Sequence, residues 1–251
     1  MLTYRRLYLS AAYICVIDVL CHAVVMARPR KPAAKPRRTY HHGDLRHALV
    51  EEALRLAAEG GPEAVTVREV ARRVGVSSGA PFRHFPDRTT LLTAVAEEAM
   101  KRFRQEILRA LEAAGGKGPL ERLRAIGSAY LRWAVRHPTF FEVISSRRLI
   151  DFEGSAALRA DNEAVQRLMA GLIEEARLKG DVRDDADARL IVVTGRALVY
   201  GLARMKVDDH YASWGLETDE VERMMDAALG LFVSGLEAPP RVARKRRSTS
   251  P

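Results

Sequence analysis

The sequence predicts an all-α protein, with a small N-terminal helix-turn-helix domain followed by a larger helical domain. Three observations lead there. Ala, Leu, Arg and Glu are frequent while aromatic residues make up only 6% of the 251 residues, and no β-branched runs separated by turns occur. Apolar residues recur with a helical period through most of the chain, and glycine, proline and capping residues punctuate them at helix lengths. A hydrophobic content of 47% suffices for a buried core. No internal repeat is present. Cys15 and Cys21 both lie in the first 25 residues, so the rest of the chain has no disulfide, thiolate chemistry or cysteine metal site, which fits a reducing cytoplasm.

Leu7 to Val25 is an apolar run behind Arg5 and Arg6. Its nine Leu, Ile and Val residues favour membrane insertion by about 4 kcal/mol in all, and Asp18 near the centre opposes it by about 3 kcal/mol. The first reading of residues 1–25 is an apolar extension ahead of a natural start at Met26; the second is a membrane anchor. A membrane partner is therefore not expected, and the protein is expected in the cytoplasm. Residues 26–40 form a basic flexible arm holding Arg28, Arg30, Lys31, Lys35, Arg37 and Arg38, and residues 239–251 form a basic disordered tail. The net charge of +9 resides in these two segments, which leaves the body close to neutral. Beside a DNA-binding motif, the arm is read as a set of phosphate contacts.

Asp44 is read as the cap of a first helix with Leu45, Leu49, Ala53, Leu56 and Ala57 on one face, closed by Gly60 and Gly61. Thr66 and Glu69 have capping-box spacing for a second helix whose buried side is Val67, Val70, Ala71 and Val74. Gly75 ends it. Ser78 and Pro81 then predict a third helix, the proline falling in the first turn where its missing N–H costs nothing. Two helices around a glycine turn form a helix-turn-helix, the second presenting Ser77, Ser78, Gly79, Ala80, Phe82, Arg83 and His84.

Gly75-Val76-Ser77-Ser78-Gly79 also fits G-x-S-x-G, which would make Ser77 the nucleophile of a serine hydrolase. Such an elbow follows a buried strand, whereas VREVARRV has helical periodicity with two arginines on its outer side. No catalytic residue and no cofactor are assigned. His41, His42 and His47 lack cysteines or carboxylates at ligand spacing, so they belong to a helix entry and no metal is expected.

YHHGDLRHALVEEALRLAAEGG and TVREVARRVGVSSGAPFRHFPDRTTLLTAV together resemble the N-terminal domain of TetR/AcrR-type transcriptional regulators, over roughly residues 40–98. The resemblance implies an all-α homodimer that binds double-stranded DNA at a pseudo-palindromic operator and answers to a small-molecule effector. It places Thr66 at a phosphate, Ser77, Ser78, Gly79, Ala80 and Pro81 near base edges, and Phe82, His84 and Arg88 at the backbone or groove wall. Arg37, Arg38 and Arg83 complete the expected DNA face. Phe82 stands where many members carry tyrosine, which leaves it packing or thymine-methyl contact.

The domains so implied are residues 41–88 for DNA and 89–238 for ligand binding and dimerisation. Helices are expected from Pro86-Asp87 to Leu111, Pro119 to Val135, His137-Pro138 onward, Ser155 to Leu178, Ala186 to Met205 and Asp219 to Leu236. The last two are the expected homodimer helices, with stripes of Ile191, Gly195, Leu198, Leu202 and Met205, and of Val221, Met224, Ala228, Leu231, Phe232 and Gly235. Arg196 to Gly201 resembles, more weakly, the W-x3-HG signature of one subgroup, with arginine for tryptophan and tyrosine for histidine. Tyr130, Trp133, Phe140, Phe141, Met169, Arg196 and Tyr200 are the candidates to line an effector pocket. Arg196 is expected to pair with Glu174 or Asp161, to stand exposed, or to take the polar end of an effector.

Overall fold

The computed structural model describes residues 42–183 and 187–238, and among them the regular elements are eight α-helices and three short 3-10 turns. The N-terminal extension, the basic arm with Arg37 and Arg38, and the C-terminal tail lie outside the described residues. Helix α1 (His42–Gly60) buries Leu49, Val50, Ala53, Leu54, Leu56 and Ala57. It starts before Asp44, which therefore falls within the first turn and does not precede it. Helix α2 (Val67–Val74) is capped by Thr66, whose Oγ1 accepts the Glu69 amide at 3.1 Å. Only that half of the capping box forms. The Glu69 carboxylate turns instead to Arg72 and Arg73. Gly75 closes the helix at φ +80°, a left-handed geometry that a side chain resists.

The expected third helix contracts to a turn at Ser77–Ala80 and a single 3-10 turn at Pro81–Arg83. Pro81 has no amide to offer the Ser77 carbonyl, which takes the Ala80 amide at 3.1 Å and closes a tight turn. The amides of His84 and Phe85 then both reach Pro81 O at 2.8 Å. Ser78 does not cap this turn.

Helix α3 (Arg88–Ala113) is capped by Asp87, which accepts from the Thr90 amide at 2.7 Å and hydroxyl at 2.8 Å. Its 26 residues span about 39 Å. The N-terminal half buries Leu91, Leu92 and Val95, and α3 packs against α1; Phe103 and Ile107 belong to its other half, and α3 also packs against the helices that follow. Thus α3, which begins at position 88, packs on helices from both sides of that position, and the described residues fall within one compact unit.

Helix α4 (Pro119–Arg136) buries a broad face, with Leu123, Ile126, Gly127, Tyr130, Leu131 and Trp133 inside, and leaves a strip with Glu121, Arg124, Arg132 and Arg136 exposed. A face that broad needs several neighbours. It has them in α3, α5 (Pro138–Ser145), α6 (Ala156–Lys179), α7 (Ala188–Val207) and α8 (Thr218–Ser234). Ion pairs at the rim set the helix registers: Arg102–Glu51 between α3 and α1, Arg122–Glu175 between α4 and α6, and Arg124–Asp226 between α4 and α8. Exposed pairs of this kind orient more than they stabilise.

Gly75→Ala is expected to lower the unfolding free energy by about 1–2 kcal/mol, the cost of forcing a Cβ into the left-handed region, with helix content unchanged. Urea denaturation followed by circular dichroism measures it.

Candidate functional site

Ser77, Ser78, Gly79 and Arg83 stand exposed on the short segment after α2, and Phe82 is 42% exposed. A side chain at Gly79 would meet nothing within 4 Å, so this surface is open and not shaped by internal packing. The segment is pinned from below. Pro81 is buried and Phe85 is 1% exposed, while Ala80 and His84 are half-buried. Thr66 lies at the exposed N-terminus of α2, beside the outward Arg68.

The arginines divide by their partners. Arg72 grips Glu69 and Arg73 holds both Glu69 and Glu59, and the Arg72 hydrogen bonds, followed by those from Arg73, pull the Glu69 carboxyl down to about 2. These two charges are engaged inside the headpiece. Arg88, expected at the DNA backbone, donates instead to Val65 O at 3.0 Å and Pro62 O at 2.9 Å, with Glu63 at 3.0 Å. It brackets the start of α3 to the loop entering α2. Arg68 and Arg83 form no ion pair among the described residues. Arg68 has no role in the sequence-based expectations, although an arginine in the first turn of the helix preceding the turn is a signal for one.

The segment before Ser77 is helix α2, so the strand that a nucleophile elbow follows is not there. Among the described residues no helix is long and apolar enough to cross a membrane.

A second site lies between α3, α4, α6, α7 and α8. An inner cavity of about 60 Å³ adjoins a groove of about 1100 Å³, and the two share Phe103, Val165, Met169, Val192 and Arg196. Of the expected effector residues, Tyr130, Met169 and Arg196 line the cavity, and Met169, Arg196 and Tyr200 line the groove. Trp133, Phe140 and Phe141 line neither. They form an aromatic wall behind it: Phe141 packs against Tyr130 and Tyr200, Trp133 against Phe103, and Phe140 stacks on His137. Phe103 was missed because nothing in the local pattern of α3 separates a lining residue from a core one. Burial raises the Tyr130 phenol above its ordinary pKa, with the Arg196 charge opposing. Neither acid expected to pair with Arg196 does so, since Asp161 meets Arg104 and Glu174 meets Arg177. Arg196 is exposed, the second of the three outcomes expected for it.

The two sites are joined by side chains. Ser155, which caps α6, donates to Glu97 of α3 at 2.7 Å. Glu97 lies 3.9 Å from Arg46 of α1, whose guanidinium stands 5.4 Å from the Phe85 ring centroid. The Asp151 amide adds a bond to Thr93 Oγ1 at 2.9 Å.

A helix-turn-helix headpiece carried by the same long helix that lines an apolar cavity defines a ligand-responsive DNA-binding protein. Residues 49–95 match the family model of bacterial regulatory proteins, tetR family, and residues 123–230 match that of the tetracyclin repressor-like C-terminal domain. Together these cover more than half of the chain. The chain belongs to the TetR family of DNA-binding transcriptional regulators, release by a small-molecule effector being the family's typical mode. It is 27% identical over 203 residues to the transcriptional repressor KstR of Mycolicibacterium smegmatis, covering 78% of this chain and 90% of that one. It is 33% identical over 152 residues to KstR of Rhodococcus jostii, covering 58% and 66%. A solved protein of unknown function from Rhodococcus sp. RHA1 aligns with a TM-score of 0.67 at 28% identity, covering 80% of this chain and all of that one.

Arg88→Met is expected to cost about 2 kcal/mol of stability by stripping a charged donor from two carbonyls, while the salt dependence of DNA binding stays as it is. Urea unfolding and binding titrations at several salt concentrations check both. Unchanged stability with a flatter salt slope returns Arg88 to the phosphates.

Proposed function

We propose that the protein works as a homodimer on a pseudo-palindromic operator, reading base edges with Ser77, Ser78, Gly79, Ala80 and Pro81. Phe82 and His84 face the groove wall, while Thr66, Arg68, Arg83 and the arm with Arg37 and Arg38 hold phosphates. Helix α3 begins where the DNA domain (41–88) meets the ligand and dimer domain (89–238) and packs on α1 of the first as well as on α4 and α6 of the second, and that packing carries the reading. One end of α3 supports the headpiece and Phe103 toward its other end lines the cavity, so a ligand that moves α3 or α6 changes the headpiece angle, directly or through Ser155, Glu97 and Arg46. The proposed effector site comprises Tyr130, Met169, Arg196 and Tyr200 with Phe103 and Val165, and the protein acts in the cytoplasm without chemistry of its own.

The dimer face is an outward apolar row on the last two helices. On α8 it is Met224, 44% exposed, and Leu231, 78% exposed, on one side with Ala228 and Gly235. On α7 it is Leu190, 63% exposed, with Thr194, Ala197 and Gly201, where a side chain would meet nothing within 4 Å. This row lies about a quarter turn from the stripe expected from the sequence. Gly195 of that stripe faces α8, where a Cβ would come within 3.1 Å of Phe232. Such an apolar face on a water-exposed helix marks a protein contact.

Three measurements test the proposal. Deleting residues 28–38 is expected to weaken binding to all DNA sequences and flatten the salt slope by about 0.9 for each phosphate that the arm no longer neutralises. Ala80→Tyr is expected to change the sequences selected from a random DNA pool; an arm deletion with an unchanged slope contradicts this division. Leu231→Glu is expected to give a folded monomer in sedimentation velocity with operator affinity reduced at least about 10-fold, because both half-sites must be held at once. A persistent dimer moves the interface elsewhere.

A further inference from the structure

Two hydrogen-bond donors, Tyr130 and Arg196, stand on the wall of the inner cavity, and among the described residues neither meets a carboxylate. Tyr130 is 4% exposed, and its hydroxyl finds no acceptor among the described residues, the Arg196 guanidinium beside it being a donor like itself. Such a group is costly to leave unpaired. The Arg196 guanidinium stands 4.9 Å from the Tyr130 ring centroid and 6.0 Å from that of Tyr200, and no carboxylate among the described residues pairs with it. Around them the wall shared by cavity and groove is apolar. Of the charged residues lining the groove, Arg167, Arg189 and Arg196 outnumber Asp187, and Arg167 reaches Glu163 at 3.2 Å.

We infer that this space binds an amphipathic ligand, a hydrocarbon body bearing a carboxylate, with the carboxylate held by Arg196 and the Tyr130 hydroxyl. The inference rests on the proposal that the groove is the effector site. A carboxylate presents two acceptor oxygens to two donors and neutralises a guanidinium that no carboxylate among the described residues pairs with. A ketone or ester fills the donors but leaves the charge. A cationic head meets three arginines. The inner cavity has room for little more than water molecules, so the body lies along the groove over Phe103, Val165 and Met169.

The test is calorimetric titration of the full chain with dodecanoate and with cholate, each against its own methyl ester, all below their aggregation thresholds, and with dodecyltrimethylammonium. At least one acid is expected to bind about 10-fold or more tighter than its ester, with no binding of the cation. Arg196→Met is expected to remove that preference by lowering acid affinity much more than ester affinity, and Arg196→Lys to keep part of it. Tyr130→Phe is expected to weaken the acid about 3-fold or more, with its fold checked by circular dichroism. If Tyr130→Phe misfolds, the exposed position 196 carries the decision. Equal affinity for acid and ester, or undiminished acid preference in Arg196→Met, overturns the carboxylate assignment and leaves the groove as an effector site for another head group. Failure of every amphiphile to bind a folded chain overturns the assignment and removes support from the groove itself.

Discussion

Helix α3 has to bury apolar surface at both of its ends, and the rest of the molecule is arranged to let it. Leu91, Leu92 and Val95 need α1 and the headpiece; Phe103 and Ile107 need α4 and its neighbours. A helix in a protein draws most of its stability from the packing of its apolar face, so its persistence as one element depends on packing along both halves. The consequence is mechanical. The exposed segment after α2 and the inner cavity both rest on the same helix.

The headpiece shows how little regular structure such a surface needs. Its reading segment is a turn and one 3-10 turn, too short to be stable by itself, and it is held by Phe85 and Pro81 below and by the Asp87 cap that follows. Arg88 binds the other flank by tying the carbonyls of Pro62 and Val65 to the first residue of α3. The exposed atoms of Ser77, Ser78 and Gly79 are thus presented by a scaffold whose polar groups are engaged internally. Arg72 and Arg73 are part of that scaffold, since Glu69 and Glu59 hold them.

The ligand domain is built the opposite way, with polar groups left over. Helix α4 buries a broad face and leaves the Tyr130 hydroxyl without an acceptor beside an exposed arginine whose sequence-expected acids are engaged elsewhere. One buried hydroxyl lacking an acceptor among the described residues, next to an arginine at the same cavity, suits a guest that brings acceptors. Ser155, Glu97 and Arg46 lie between that domain and Phe85, so the polar connection and the helix run in parallel.

Helix starts and stops were legible from the sequence because their signals act within one turn. Thr66, Gly75, Asp87, Pro119 and Ser155 each end or begin a helix as expected, and the helix-turn-helix and its family follow from residues close together in the chain. The contraction after Ser77 was also local, but it depended on weighing the missing Pro81 amide as a defect within the turn and not only as a start signal. The partners were not legible. Arg88 finds Val65 and Pro62 more than twenty residues back, Asp161 takes Arg104, and the apolar stripe on α7 divides into a side that packs on α8 and a side that faces outward. Helical periodicity assigns residues to a face of one helix and carries no information about which helix lies opposite. The sequence by itself determined where each helix runs and what chemistry it carries; only the tertiary packing decided which arginines are engaged by the protein and which remain for a ligand, because an ion pair or a cavity exists only between elements that have been brought side by side.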